Sequence, residues 1–317
     1  MIYHDEYIAS MERLEAYNHK KIDLFITSAH VDERSFSAYE LLHRKGITIV
    51  QTVVFDYSDI RPKEDSDAYN QYYRLQSFSG VTYIPCNAFD ADINYICNMD
   101  ISSIHNIVID ITNIPTPDIF RLLYVLYSIH NVIQYSIVYS EPKYYQHING
   151  FNYSLNEKLV EIDYRTIPEY FCSAVSRDVM LVCFLGFGRL VSKYIHDRCE
   201  HSDVVVINGF PSYYPKIKDI SLEHNYELIS AIGTDKVLFC QANDPFSSYN
   251  TLCDIKAHNN NKLMDICVLG SKPMALGACI FALKNQNDVK VSFPFPKETA
   301  IRQSLDVSEI WWYRITI

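Results

Sequence analysis

The chain has 317 residues, of which 48% are hydrophobic, enough for one large core or two ordinary ones and too apolar for a disordered chain. A formal charge of −10 and a pI near 5.5 exclude the broad basic surface that nonspecific wrapping of nucleic acid requires. Nine scattered cysteines without a C-x-x-C pair favour free thiols in apolar surroundings over a metal or disulfide framework.

The opening MIYHDEYIASMERLEAYNHKK is acidic early and lacks the apolar core of a secretory signal. The most apolar run, Ile119 to Ile129, carries Arg121 and is too short for a membrane span. Both observations predict a soluble, cytoplasmic protein with no membrane partner. The apolar spacing of Asp5 to Lys20 predicts an N-terminal helix within residues 1–21.

From Asp23 onward, strand-like runs alternate with amphipathic segments. DLFITSA is followed by the helical VDERSFSAYELLHRKG, then ITIVQTVVFDY, a helix over 63–80, VTYIPC, a helix over 92–99, NIVIDI, the helix PDIFRLLYVLYSIH and the strand IQYSIVY. A connector over 144–177 holds an Asn149-Gly150 turn signal. The plan then repeats: DVMLVCFLG, the helix GRLVSKYIHDRC, DVVVING, a helix over 217–229, KVLFCQ, a helix over 249–257, MDICVLG, PMALGACIFALK and VKVSFPF. Near-continuous apolar strands separated by helices predict parallel sheets covered on both faces. The fold class is therefore α/β, with two tandem Rossmann-like domains over 22–143 and 178–317.

Ile26 aligns with Phe184 and Pro115 with Pro273 at the same offset of 158 residues, which points to an internal duplication. The closing WWYRITI reads as a strand of the second domain. Its adjacent Trp311 and Trp312 should face opposite sides, one into a core and the other outward or towards a partner.

In open parallel sheets, ligands bind beyond the carboxyl ends of the strands, where the strand order reverses. In the second half those ends carry Gly186, Gly188 and Arg189, then Asn208 and Gly209, then Gly270, Ser271 and Lys272. Glycine-permitted backbone approach, two cations and amide donors suit a phosphate-bearing, nucleotide-type ligand. GFGRLV falls short of a dinucleotide fingerprint, because Val191 stands where the third glycine belongs and no acidic residue ends DVVVING. No Walker motif, paired-histidine metal spacing or nucleophile elbow is present, so no cofactor and no metal are expected.

GSKPMALGA, residues 270–278, resembles the glycine-threonine-lysine turn of CARF domains, the Rossmann-like sensors of cyclic oligonucleotides in prokaryotic antiviral defence. Leu269 and Ser271 replace a glycine and a threonine of that pattern. The resemblance implies that Gly270 admits the ligand backbone, Ser271 donates a hydroxyl and Lys272 neutralises phosphate. It further implies a regulatory component that acts through a protein partner or a homo-oligomer. In the first half, Thr112, Asn113 and Ile114 stand at the equivalent positions.

That half carries polar residues of another kind. His30, Asp32, Glu33 and Arg34 follow the first strand, and Asp110 ends the fourth. His30, Glu33 and Asp110 are candidates for acid–base chemistry on a nucleoside or nucleotide. Capping of the following helix explains Asp32 and Glu33 equally well. A ligand-free assembly subunit is the remaining alternative.

Overall fold

The computed structural model describes residues 10–29, 32–57, 80–86, 90–132, 134–145, 162–172, 178–187, 189–198, 201–213, 217–296 and 304–317. The chain divides into two compact units, Met1–Gly150 with Arg302–Ile317, and Phe151–Ile301. Among the described residues no helix is long and apolar enough to cross a membrane.

The first unit holds a seven-stranded sheet in the order β1-β13-β6-β5-β2-β3-β4. Strands β2 (Lys21–Ala29), β3 (Thr48–Asp56), β4 (Val81–Pro85), β5 (Ile107–Asp110) and β6 (Gln134–Tyr145) are parallel. Helices α1 (Ser37–Arg44), α2 (Ala91–Cys97) and α3 (Thr116–Ser128) lie in the connections. Ile22 and Phe25 of β2 lie in a core shared with Ala38, Tyr39 and Leu42 of α1. The helix expected over 63–80 falls outside the described residues, apart from Gly80 at its end.

The second unit holds a six-stranded sheet in the order β10-β9-β8-β11-β12-β7. Strands β8 (Val179–Phe184), β9 (Asp203–Gly209), β10 (Val237–Cys240), β11 (Leu263–Val268) and β12 (Val289–Pro296) are parallel. Between them run α4 (Arg189–Arg198), α5 (Ile217–His224), α6 (Tyr226–Ile232), α7 (Pro245–His258) and α8 (Lys272–Lys284). Pro273 through Leu283 of α8 are all buried, as an apolar helix without a polar face requires. At Gly277 a Cβ would lie 2.1 Å from the Pro245 carbonyl oxygen, so only glycine lets α7 and α8 approach this closely.

Counted along the chain, the parallel strands of each unit run third, second, first, fourth, fifth. The α/β class with two mainly parallel sheets is thus realised, and the order of strands is common to both units. Each sheet also carries an antiparallel strand beyond its fifth.

Those extra strands alter the expected organisation. The C-terminal strand β13 (Ser304–Thr316) pairs with β6 in the first unit, not with the second. Trp312 and Ile310 enter the first unit's core, and half-buried Trp311 donates its indole N–H to Glu141 Oε2 at 2.7 Å. In place of an N-terminal helix, Ser10–Arg13 forms β1, antiparallel to β13, followed by a 3-10 turn at Leu14–Ala16. A free strand edge beside β13 offers backbone partners that outweigh the local helical spacing. Within the expected connector, Ile162–Thr166 forms β7, the antiparallel edge of the second sheet. The Asn149-Gly150 turn lies outside the described residues.

Candidate functional site at the carboxyl ends of the strands

In the second unit the strand order reverses between β8 and β11, which are direct neighbours. Here the chain leaves β11 through Leu269, Gly270 and Ser271 and enters α8. Ser271 is the N-cap: its Oγ accepts from the Met274 N–H at 3.3 Å and donates to the Ala242 carbonyl oxygen. Pro273 occupies the first turn, where a missing N–H costs nothing. The N–H groups of Gly270 and Ser271 donate to no group among the described residues. They sit half-buried in front of a 13-residue helix, at the positive end of its dipole.

Two other residues singled out in this half, Gly186 and Asn208, serve the fold. A Cβ on Gly186 would lie 2.2 Å from the Leu269 carbonyl oxygen, so this glycine permits the exits of β8 and β11 to touch rather than a ligand to approach. The Gly186 carbonyl oxygen also accepts from Ser221 Oγ at 3.2 Å and Asn225 Nδ2 at 2.9 Å. Asn208 is buried, and its Nδ2 donates to the Lys218 carbonyl oxygen at 3.2 Å. Lys272 begins α8. Arg189 begins α4, and its side chain, like Gly188 as a whole, lies outside the described residues.

The first unit places a buried polar network at its own reversal, between β2 and β5. Asp32 caps the 3-10 turn Glu33–Phe36 by accepting from the Arg34 N–H at 3.0 Å. The same carboxylate takes Arg34 Nε at 3.0 Å and Nη2 at 2.8 Å in a two-pronged pair. Arg34 Nη1 reaches the Ser140 carbonyl oxygen at 2.8 Å, and the Ser140 N–H donates to Thr112 Oγ1 at 2.9 Å. Thr112 in turn donates its hydroxyl to Asp110 Oδ1, which also accepts the Thr112 N–H at 3.0 Å. Arg34 is buried and holds the loop after β2 to β6.

Asp110 is the exceptional group. Burial pushes its carboxyl up to about 7, against the lowering effect of the Thr112 hydrogen bonds and the Arg34 charge. Its Oδ2 and the Ser140 Oγ are buried without a hydrogen-bond partner among the described residues. Asp110 stands opposite Val138 in the β5–β6 register, so Ser140, two residues on, shares its face of the sheet. His30 and the Glu33 side chain lie outside the described residues; of the acid–base candidates, Asp110 alone is placed with its surroundings. Sequence reasoning found Asp110 but missed Thr112 and Ser140 as its companions. Hydroxyls near a strand end carry no distinctive spacing.

Among the described residues no three or more His, Cys, Asp or Glu side chains gather as metal ligands. Asp92, one of the acidic residues after β4, is already engaged by the Tyr57 hydroxyl at 2.8 Å and the Ile93 N–H at 2.9 Å. Burial raises the Cys240 and Cys279 thiols to about 12, far from the thiolate form a nucleophile needs.

Comparison with known proteins gives little beyond this geometry. No family model matches the sequence, and no curated protein matches it. Among solved structures, a candidate universal stress protein from Pseudomonas aeruginosa UCBPP-PA14 aligns at 11% identity and a TM-score of 0.27, covering 89% of this chain and 95% of the other. A protein of unknown function from Pseudomonas aeruginosa PAO1 aligns at 9% identity and a TM-score of 0.25, covering 89% and 94%. At that level the likeness carries no functional information.

Proposed function

We propose that the protein binds a nucleotide-type, phosphate-bearing ligand at the switch point of its second unit and acts as a regulatory component through a protein partner. The observation that carries this reading is the pair of N–H groups on Gly270 and Ser271, ahead of α8, that find no acceptor among the described residues. Two consecutive backbone donors at a helix N-terminus are chemically suited to phosphate oxygens. The Gly-Ser-Lys sequence of the turn adds the resemblance to cyclic-oligonucleotide sensors, and the proposed place in antiviral defence rests on that resemblance alone.

Calorimetric titration with cyclic and linear oligonucleotides tests the proposal. A charge-assisted contact contributes about 1.5–3 kcal/mol, so Lys272→Ala should weaken a phosphate ligand roughly tenfold to a hundredfold while the fold persists. Equal binding by Lys272→Ala, or no phosphate ligand bound by the wild type, removes the reading.

A second reading has its own support. A buried carboxyl near neutrality, with one oxygen unpartnered among the described residues, is fitted to proton transfer, and Asp110 would serve as the acid–base group of an enzyme acting on a nucleoside or nucleotide. Turnover of labelled nucleotides by the pure protein, abolished in Asp110→Asn, would establish it. Absence of turnover across nucleosides and nucleotides would remove it.

A further inference from the structure

We infer that Phe210 and Phe239 of the second unit form a stacking platform for a nucleobase, so that the ligand recognised at the Gly270–Ser271 turn is a nucleotide read by its base as well as its phosphate. The inference rests on the phosphate reading above and adds a base subsite to it.

Six large hydrophobic side chains are exposed among the described residues, and of these only Phe210 and Phe239 lie in ring contact with each other. They are 52% and 48% exposed, with centroids 6.2 Å apart and planes at 77°. Lys218 Nζ stands 5.1 Å from the Phe210 ring centroid and is paired with Asp219 Oδ1 at 3.1 Å. The rings meet edge to face with Lys218 over Phe210, and this exposed aromatic surface beside a cation is one on which a flat, electron-rich ring gains dispersion and electrostatic attraction.

Register and hydrogen bonds place this platform at the ligand end of the sheet. Phe239 is the partner of Asn208 in the β9–β10 ladder, and Phe210 follows Gly209, the last residue of β9. The Phe210 N–H donates to the Cys240 carbonyl oxygen at 2.6 Å, which extends the ladder beyond the strand ends. Tyr213 and Ser271 both donate their hydroxyls to the Ala242 carbonyl oxygen, so the exits of β9, β10 and β11 converge on a single acceptor. Met274 Sδ lies 3.5 Å from where a Cβ on Gly209 would be and 3.1 Å from where one on Gly270 would be. The residue before Phe210 is therefore a neighbour of the phosphate-facing turn. A base and a phosphate of one nucleotide are covalently tied at short range, and the shared Ala242 acceptor brings the segment after Phe210 beside the turn.

The test compares AMP, ribose 5-phosphate and adenosine on the full chain. In calorimetric titration, Phe210→Ala and Phe239→Ala should each weaken AMP roughly five- to a hundredfold and leave ribose 5-phosphate unchanged, since stacking energy belongs to the base alone. Phe210→Tyr retains an aromatic face and should bind AMP as the wild type does. Unchanged melting temperatures would exclude loss of fold as the cause. AMP binding that survives both alanine substitutions overturns the platform, as does equal weakening of ribose 5-phosphate. Loss of a co-purifying protein in Phe210→Ala with AMP affinity intact would reassign the rings to a protein contact and overturns it too. If neither phosphate compound binds the wild type, the phosphate reading fails by itself. Adenosine then decides the platform: amide shifts at Phe210 and Phe239 on titration sustain it, and their absence overturns it.

Discussion

The two units run their parallel strands in one order yet furnish the point of reversal with opposite chemistry. In the first, Asp32, Arg34, the Thr112 hydroxyl and the Ser140 backbone form a buried network around Asp110. In the second, glycines bring strand exits together beneath the start of α8, and the polar groups left over are half-buried backbone donors. Topology fixes where a pocket can form. The side chains at the strand ends decide whether that place holds buried charge or leaves backbone donors half-buried.

Four substitutions would break or sharpen this contrast. The largest effect is expected from Asp32→Ala, which strands the Arg34 guanidinium in a buried site and should cost about 3–5 kcal/mol in chemical denaturation. A loss below about 1 kcal/mol would mean that the network adds little to the first unit. Trp312→Ala removes a fully buried indole and should cost a similar amount, about 3–5 kcal/mol. Hydrogen exchange should locate the lost protection in β1, β6 and β13; loss confined to strands β8–β12 would contradict the placement of β13.

Asp110 gives the contrast a pH signature. Its carboxyl is raised from 3.8 to about 7, so the folded chain holds a proton that the unfolded chain has released across that interval. Stability contributed by the protonated form is complete below pH 4 and is lost as the pH rises towards 7. The full difference is on the order of 4 kcal/mol. Asp110→Asn should flatten the decline between pH 4 and 7 in a series of urea titrations, and an unchanged slope would show that other groups carry it. The smallest effect belongs to the second unit. Ser271→Ala deletes an N-cap and should cost about 1 kcal/mol. A cost as large as that of Asp32→Ala would erase the distinction between a network and a cap.

Part of the site was legible because its cause is local, but Ser271 was expected to donate its hydroxyl to a ligand, whereas in the structure its Oγ caps α8 and donates to the Ala242 carbonyl oxygen. Asp32 is likewise a cap, as its position before the helical segment suggests. Gly186 was legible only as a glycine. Whether the absent side chain makes room for a ligand or for Leu269 depends on a contact 83 residues away, and the contact is with Leu269.

By itself the sequence determined the alternation of apolar strands and helices, the α/β class and the repeated plan of five parallel strands, because period and burial are written in adjacent residues. Tertiary structure alone decided that WWYRITI closes the first sheet rather than the second, and that Ser10–Arg13 becomes a strand beside it. It alone joined Arg34 to Ser140 across 106 positions of chain. Strand edges and buried donors take whichever partner the folded chain presents, and hydrogen-bond satisfaction is indifferent to separation along the sequence.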